Sequence, residues 1–335
     1  MKGQVVMSVK ETDRIPVLEK LVRKEIKQKH AAKQLGLSVR QVRRLTKRYK
    51  QEGAAGLTHK NRGRESNRTI AAAEVTRAMN LIRTNYHDFG PTLAHEKLTQ
   101  LHGIAFSVER LRQAMIEHEI WQPKKRKRIK TYQMRLRRAA LGELVQVDGS
   151  PHHWFEDRGP YCTLIAFIDD ATGRIMTALF VPAETTFAYF TATSDYLLHH
   201  GKMVALYTDK HGVFRVNTSK ESSAAVSDSN GLTQYGRALQ QLGIHIIYAN
   251  SPQAKGRVEK LFETLQDRLV KEMRLKSINT IIQGNDFLPE FIHWFNARFA
   301  VVPRSSQDMH RPVTNPDDVS KIFTIQTIRT LSKNL

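Results

Sequence analysis

Residues 144–181 read LVQVDGSPHHWFEDRGPYCTLIAFIDDATGRIMTALFV. Three short apolar runs stand in this stretch: Leu144 to Asp148, Tyr161 to Ile168 and Ile175 to Val181. Their length and their β-branched and aromatic content predict strands. Asp169-Asp170-Ala171-Thr172-Gly173 supplies turn residues between the second and third. Connections this short make the three strands antiparallel. Downstream the period changes. Thr185–Leu198 reads as a helix, Met203–Thr208 as a strand, Thr233–Leu242 as a helix, Ile244–Tyr248 as a strand and Ala254–Met273 as a long helix. Strands joined through helices cross over and should be parallel. The chain from Glu143 therefore describes a mixed sheet with helices on both faces, an α/β fold.

Working back from Glu143, the chain is all-helical and basic. Gln28 to Leu35, then Gly36-Leu37-Ser38, then Val39 onward reads as helix, glycine turn, Ser N-cap and second helix. That is the pattern of a helix-turn-helix, with Gly admitting positive φ at the turn. Val39, Val42 and Leu45 face inward at helical spacing, and Arg40, Gln41, Arg43, Arg44, Lys47 and Arg48 face out. Such a face suits a major groove, although an ordinary solvated basic helix looks the same. Gly53 to Asn67 reads as a linker. A second helical unit follows, with Pro91 opening a helix that carries Leu93, Ala94, Leu98 and Leu101, and Ser107 capping another. It reads as a second helix-turn-helix or as a plain helical spacer. Lys124, Lys125, Arg126, Lys127 and Arg128 form a like-charged block that cannot pack into a core. Between a DNA-reading region and the α/β region, such a block suits tracking phosphates. The domain bounds that follow are 1–65, 66–122, a basic linker 123–142, an α/β core 143–280 and a helical C-terminal extension 281–335.

Composition supports a polyanionic partner. The 335 residues hold 53 Lys and Arg against 32 Asp and Glu, a formal net charge of +21. An excess of that size repels itself unless nucleic acid, or less readily an anionic membrane, neutralises it. The single cysteine, Cys162, lies in an apolar run and excludes both a disulfide framework and a thiolate zinc site. It is expected to be a small buried hydrophobe. No run is long enough for a membrane helix and no signal peptide opens the chain, so a cytoplasmic, nucleoid-associated location and no membrane partner are expected. His199-His200 is expected to end a helix, where imidazole suits the dipole. No phosphate loop, serine elbow or Cys–His arrangement occurs.

Three acids stand out by position. Asp148 ends the first apolar run of the sheet and Asp209 ends the fourth, where open α/β sheets gather ligands. On the long helix, Val258, Leu261, Phe262, Leu265 and Leu269 make a buried stripe, flanked by Lys255, Glu259, Glu263 and Gln266. Glu259 and its i+4 neighbour Glu263 compete as the third ligand, and the one nearer the helix N-terminus is preferred. Oxygen-only ligands suit Mg²⁺ or Mn²⁺, and two such ions about 3.5–4 Å apart serve phosphodiester chemistry.

The quoted residues resemble a known family. Leu144-Val145-Gln146-Val147-Asp148-Gly149-Ser150, Phe167-Ile168-Asp169-Asp170-Ala171-Thr172, Tyr207-Thr208-Asp209-Lys210-His211 and Ala249-Asn250-Ser251-Pro252-Gln253-Ala254-Lys255-Gly256-Arg257-Val258-Glu259 are similar to DDE insertion-sequence transposases with a retroviral-integrase-type catalytic core, and within them to the ISNCY-type group. The resemblance spans nearly the whole chain. It implies an RNase H-like core, two Mg²⁺ (or Mn²⁺) ions held by the catalytic residues Asp148, Asp209 and Glu259, and double-stranded DNA as partner, both element ends and target. It settles the third acid in favour of Glu259. The expected activity is that of a polynucleotidyl transferase that cleaves and transfers strands as a homo-oligomer on DNA.

Two departures stand beside the resemblance. Asp209 and Glu259 are separated by 49 residues, more than is usual in the broader integrase group. The 14-residue polar segment Thr218–Gly231 reads as a loop insertion that accounts for the excess. Relatives typically continue past Arg329–Leu335 into a small β domain, so a truncated copy or a fragment is expected. Lys210, Lys255 and Arg257 read as phosphate contacts near the metals or as solvated surface charges. The competing functions are a truncated, inactive derivative acting as a DNA-binding repressor, and a host nuclease. The basic block and the N-terminal reader disfavour the nuclease.

Overall fold

The computed structural model describes residues 6–59, 70–123, 136–209, 211–214, 232–249 and 256–327. The chain divides into two units, Met1–Lys124 and Lys125–Leu335, and each is described by itself.

In the first unit, helices α1 (Val9–Thr12), α2 (Arg14–Val22), α3 (Gln28–Leu35) and α4 (Val39–Glu52) are followed by a 3₁₀ turn, Gly53–Leu57. Gly36 ends α3 in the left-handed region at φ +62°. The Leu37 amide closes back on Ala32 O at 3.0 Å and Gly36 N on Lys33 O at 3.4 Å. This paired pattern is a Schellman motif, which needs a residue free to adopt positive φ. Ser38 Oγ then accepts from Gln41 N at 3.2 Å and starts α4. Val42 and Leu45 are buried against Leu18, Ala31, Ala32 and Leu57, with Val39 at the margin. Helices α5 (Ala72–Asn85), α6 (Pro91–His102) and α7 (Val108–Glu117) share a separate apolar cluster. Ser107 Oγ caps α7 through Arg110 N at 3.2 Å. Leu101, expected on the inner stripe of α6, is exposed instead. It lies one residue before the helix ends, beyond the buried Leu93, Ala94 and Leu98.

The second unit carries strands β1 (Leu144–His152), β2 (Cys162–Asp169), β3 (Ile175–Val181), β4 (Ala205–Thr208) and β5 (His245–Tyr248). Its helices are α8 (Thr186–His200), α9 (Gln234–Gln241), α10 (Gly256–Leu275), α11 (Ile281–Phe299) and α12 (Pro316–Ile322). The strand order is β3-β2-β1-β4-β5. The first three strands pair antiparallel, while β4 pairs parallel with β1 and with β5. With helices on both faces, this is an RNase H-like sheet.

Strand alternation sorts the side chains into two cores. Val145, Val147, Ile165 and Phe167 face α8 and α9, where Tyr189, Tyr196 and Leu239 cover them. Cys162, Leu164, Ala166 and Ile168 face the other way, onto Val258, Leu261 and Leu265 of α10 and Phe291 and Phe295 of α11. Cys162 is fully buried, and burial pushes its thiol up to about 11. Trp154 is equally buried and donates its indole N–H to Ser150 O at 2.9 Å.

Two asparagines of α11 cover the outer edge of β3. Asn285 accepts from Phe180 N at 2.7 Å and donates to Phe180 O at 3.0 Å. Asn296 does the same for Ile175, at 2.8 Å in each direction. Eleven residues of helix and five of strand both span about 16.5 Å. Each carboxamide thus meets a strand residue whose N–H and C=O point outward.

Candidate active site

Asp148 lies in the middle of a strand, not at its end. The parallel ladder of β1 with β4 covers Leu144–Ala205, Val145–Leu206 and Gln146–Tyr207. On the other side, β2 keeps pairing with β1 through His152–Cys162. The apolar run stops at Asp148 because β4 stops there, and β1 continues because β2 does. Extending the parallel register by two residues brings Asp148 level with Asp209. Both are half-buried. Asp209 follows β4 directly, and its Oδ1 accepts from His211 N at 2.9 Å.

The pairing partners of Gln146, Asp148 and Ser150 are Ile168, Ala166 and Leu164. The three polar residues therefore form a row on the α10 face of an otherwise apolar sheet. Both neighbours of Asp148 in that row are tied down. Gln146, fully buried, donates to Asp170 Oδ1 at 2.9 Å. Ser150 Oγ accepts from Gln266 Nε2 of α10 at 3.2 Å.

Helix α10 buries Val258, Leu261, Phe262, Leu265 and Leu269, as its spacing predicts. Glu259 and Glu263 are both exposed on its flank, and Glu263 is paired with Lys260 at 2.6 Å. Among the described residues, no group of three or more His, Cys, Asp or Glu stands close enough to hold a metal ion. Glu259 sits in the first turn of α10, the helix that packs on the β1 and β2 face carrying Asp148. The donor chemistry suits a hard divalent cation: the oxygens of Asp148 and Asp209, with the buried Gln146 Oε1 lacking a hydrogen-bond partner among the described residues.

Arg257, read from sequence as a phosphate contact or a solvated charge, instead reaches into the molecule and pairs with the fully buried Asp170 at 2.7 Å. Lys210 and Lys255 lie outside the described residues. Two further residues near Asp148 escape a sequence reading. An added Cβ at Gly149 would meet the Glu184 carboxyl group at 2.7 Å, so the glycine lets Glu184 close onto β1. Tyr189 donates its hydroxyl to that carboxylate. The Tyr189 hydroxyl is held well above its usual range by burial, then by the charge of Glu184 and its hydrogen bond, with Asp148 contributing. Glu184 precedes the N-cap Thr185 and looks like an ordinary helix-start acid, so only the tertiary contact reveals it.

In the first unit, Arg40, Gln41, Arg43, Arg44 and Lys47 are exposed on α4, and Arg43 also donates to Gln28 at 2.8 Å. Arg48 departs from the outward row. It is half-buried and donates to Thr58 O at 2.8 Å. The 3₁₀ turn folds back over it, closely enough that a Cβ at Gly56 would meet Arg48 O at 2.6 Å. On α7, Arg110 pairs with Glu117 and Arg112 with Glu109. Its face is charge-balanced, which separates it from α4. The block Lys124, Lys125, Arg126, Lys127 and Arg128 lies outside the described residues.

Comparisons with known proteins place the chain in a family. The family model described as a helix-turn-helix domain matches residues 13–65. The chain is 49% identical to the putative transposase y4bF of Sinorhizobium fredii (strain NBRC 101917 / NGR234), over 94% of this chain and 68% of that protein. It is 32% identical to the transposase for insertion sequence IS1202 of Streptococcus pneumoniae, over 86% of this chain and 68% of that protein. Among solved structures, a chain of a simian T-cell lymphotropic virus intasome in complex with PP2A regulatory subunit B56 gamma overlays with a TM-score of 0.37 at 13% identity, covering 77% of this chain and 78% of that one. With a helix-turn-helix early in the chain, a mixed α/β sheet after it, and two transposases matched along most of its length, the chain belongs to the insertion-sequence transposases.

Proposed function

We propose that this transposase binds the inverted repeats at its element's ends through α4 and cuts and joins DNA strands at Asp148, Asp209 and Glu259, in the DDE manner. The observation that supports the reading is the register of the parallel ladder: continued two residues past Gln146–Tyr207, it would bring Asp148 level with Asp209. Asp148 and Asp209 would hold two divalent ions, Mg²⁺ or Mn²⁺, with Glu259 supplied from α10. When bound, such ions would activate the attacking oxygen and stabilise the leaving one. Gln146 and Ser150, each tied to a neighbour, keep the backbone of β1 fixed on both sides of Asp148. The exposed cations of α4 bind phosphates and orient the duplex, and its Gln41 is placed to read a base edge.

In the first step a water oxygen attacks the phosphorus at the element end, the P–O3′ bond breaks, and the element strand keeps a free 3′-OH. In the second, that 3′-OH attacks a target phosphorus and displaces a target 3′-oxygen. Assembly of copies on the DNA would let two ends be treated together. The test uses the full chain, an end-sequence duplex and Mg²⁺ against EDTA. Metal-dependent nicking is expected, with Asp148→Asn abolishing product while end binding stays within about twofold. Product from Asp148→Asn would refute the carboxylate site. Tight binding with no product from the unaltered chain would favour a DNA-binding repressor.

A further inference from the structure

The turn Asp169–Gly173 reads from sequence as a connector, and the Asp169 carboxylate is its main side-chain acceptor. Its Oδ2 accepts from Thr172 N at 2.8 Å and Thr172 Oγ1 at 2.7 Å, and its Oδ1 from Gly142 N at 3.0 Å. Among the described residues, the Asp170 carboxylate bonds to groups outside that turn. Yet it is fully buried, and a carboxylate taken out of water is costly unless charge and hydrogen bonds compensate it. Among the described residues, the compensation comes from three separate segments. Oδ2 accepts from Arg138 N at 2.8 Å, and Oδ1 accepts from Gln146 Nε2 at 2.9 Å and from Arg257 Nη1 at 2.7 Å.

The two side chains that share Oδ1 stand in matching places. Gln146 is two residues before Asp148 on the same strand face. Arg257 is two residues before Glu259 in the first turn of α10. One buried oxygen thus links the strand that carries one candidate ligand to the helix that carries another. We propose that Asp170 and Arg257 are positioning residues of the candidate active site. Their ion pair fixes the start of α10, and with it the direction of Glu259, against the Asp148 face of β1.

Apolar packing alone would not do this. Val258, Leu261 and Leu265 hold the helix to the sheet, but such contacts permit small rotations, and each residue of helix corresponds to about 100° of turn. A buried, hydrogen-bonded charge pair selects one orientation. The proposal deepens the proposed function and rests on it for its catalytic meaning. The anchoring itself can be measured independently.

The experiment compares the full chain with Arg257→Ala, Arg257→Lys and the double variant Asp170→Leu/Arg257→Met. The double variant leaves no uncompensated buried charge and guards against misfolding. Three readouts are taken: amide hydrogen exchange along α10, Mn²⁺ titration, and end-duplex affinity as a function of salt. Arg257→Ala and the double variant are expected to speed exchange at residues 256–264 by about tenfold relative to 265–275, and to weaken Mn²⁺ binding by a similar factor. Arg257→Lys should recover part of both, and the salt slope should not move. The proposal is overturned if exchange and Mn²⁺ affinity match the unaltered chain in the double variant. A salt slope smaller by about one in that case would make Arg257 a phosphate contact. If the unaltered chain takes up no Mn²⁺, the metal site fails instead, and the exchange data alone decide the anchor.

Discussion

Gly142 stands two residues before the strand that carries Asp148, with φ +74°. Only a residue without a side chain is at ease there. A Cβ would also lie 2.5 Å from the His310 ring, which is almost fully buried and held by Tyr196 Oη at 2.6 Å and by Asp308. Gly142→Ala should therefore cost about 2–4 kcal/mol, from left-handed strain plus overpacking. The check is a urea midpoint well below that of the unaltered chain at unchanged m-value. An unaltered midpoint would show that the ring can yield. At this scale the sequence singles out Asp148 and Asp209 as candidates because an acid closing an apolar run has no local explanation. It conceals Asp170, because an acid in a turn already has one. Arg48 misleads for a related reason: helical period places it outside, and only the fold-back of the 3₁₀ turn covers it.

Helices α4 and α7 look alike in sequence, each Ser-capped after a glycine turn. Their charge separates them once the pairs are seen. Arg44→Ala or Lys47→Ala should weaken end-duplex binding and lower the salt slope by about one each. Arg112→Ala, which removes only an exposed pair with Glu109, should change neither. Fluorescence anisotropy across a salt series distinguishes these outcomes, and equal losses from both helices would make α7 a DNA contact. Helix α8 yields a pH prediction. It ends at His199-His200 as expected, but the dipole does not govern His200. Burial, followed by the charges of His310, His199 and Arg174, holds its imidazole below the ordinary value, against a raising hydrogen bond to Met176 O. A histidine lowered on folding binds its proton more readily when unfolded, so its contribution is present above about pH 6.5 and is lost as pH falls through that value. His152 is lowered by burial too, with His153 adding to it. The melting temperature should drop from about pH 7.5 to about pH 5.5, and His200→Asn should flatten that drop. An identical slope in the variant would clear His200 of the effect.

Across the whole molecule, a net charge of +21 sets how the chain meets DNA. Arg40, Arg43, Arg44 and Lys47 alone would give a log–log salt slope of about −3.6, taking about −0.9 per phosphate. The full chain should be steeper than that, and a shallower slope would mean that the charge outside α4 does not reach the duplex. The order of elements and the mixture of antiparallel and parallel pairing follow from connection lengths, which sequence shows directly. The extent of β1 beyond Asp148 does not, since it depends on how far β2 runs alongside.

The asparagine pair on α11 has a consequence for assembly. With Phe180 and Ile175 engaged by Asn285 and Asn296, the β3 margin has its outward amides and carbonyls at both places already answered. A second copy therefore cannot extend this sheet from that side without first prising a helix away. Under the proposed assembly of copies on DNA, contacts would form through side-chain surfaces or along β5, the opposite margin among the described residues. Sheet growth in register, the route by which many β-rich chains aggregate, is blocked at β3 by two carboxamides.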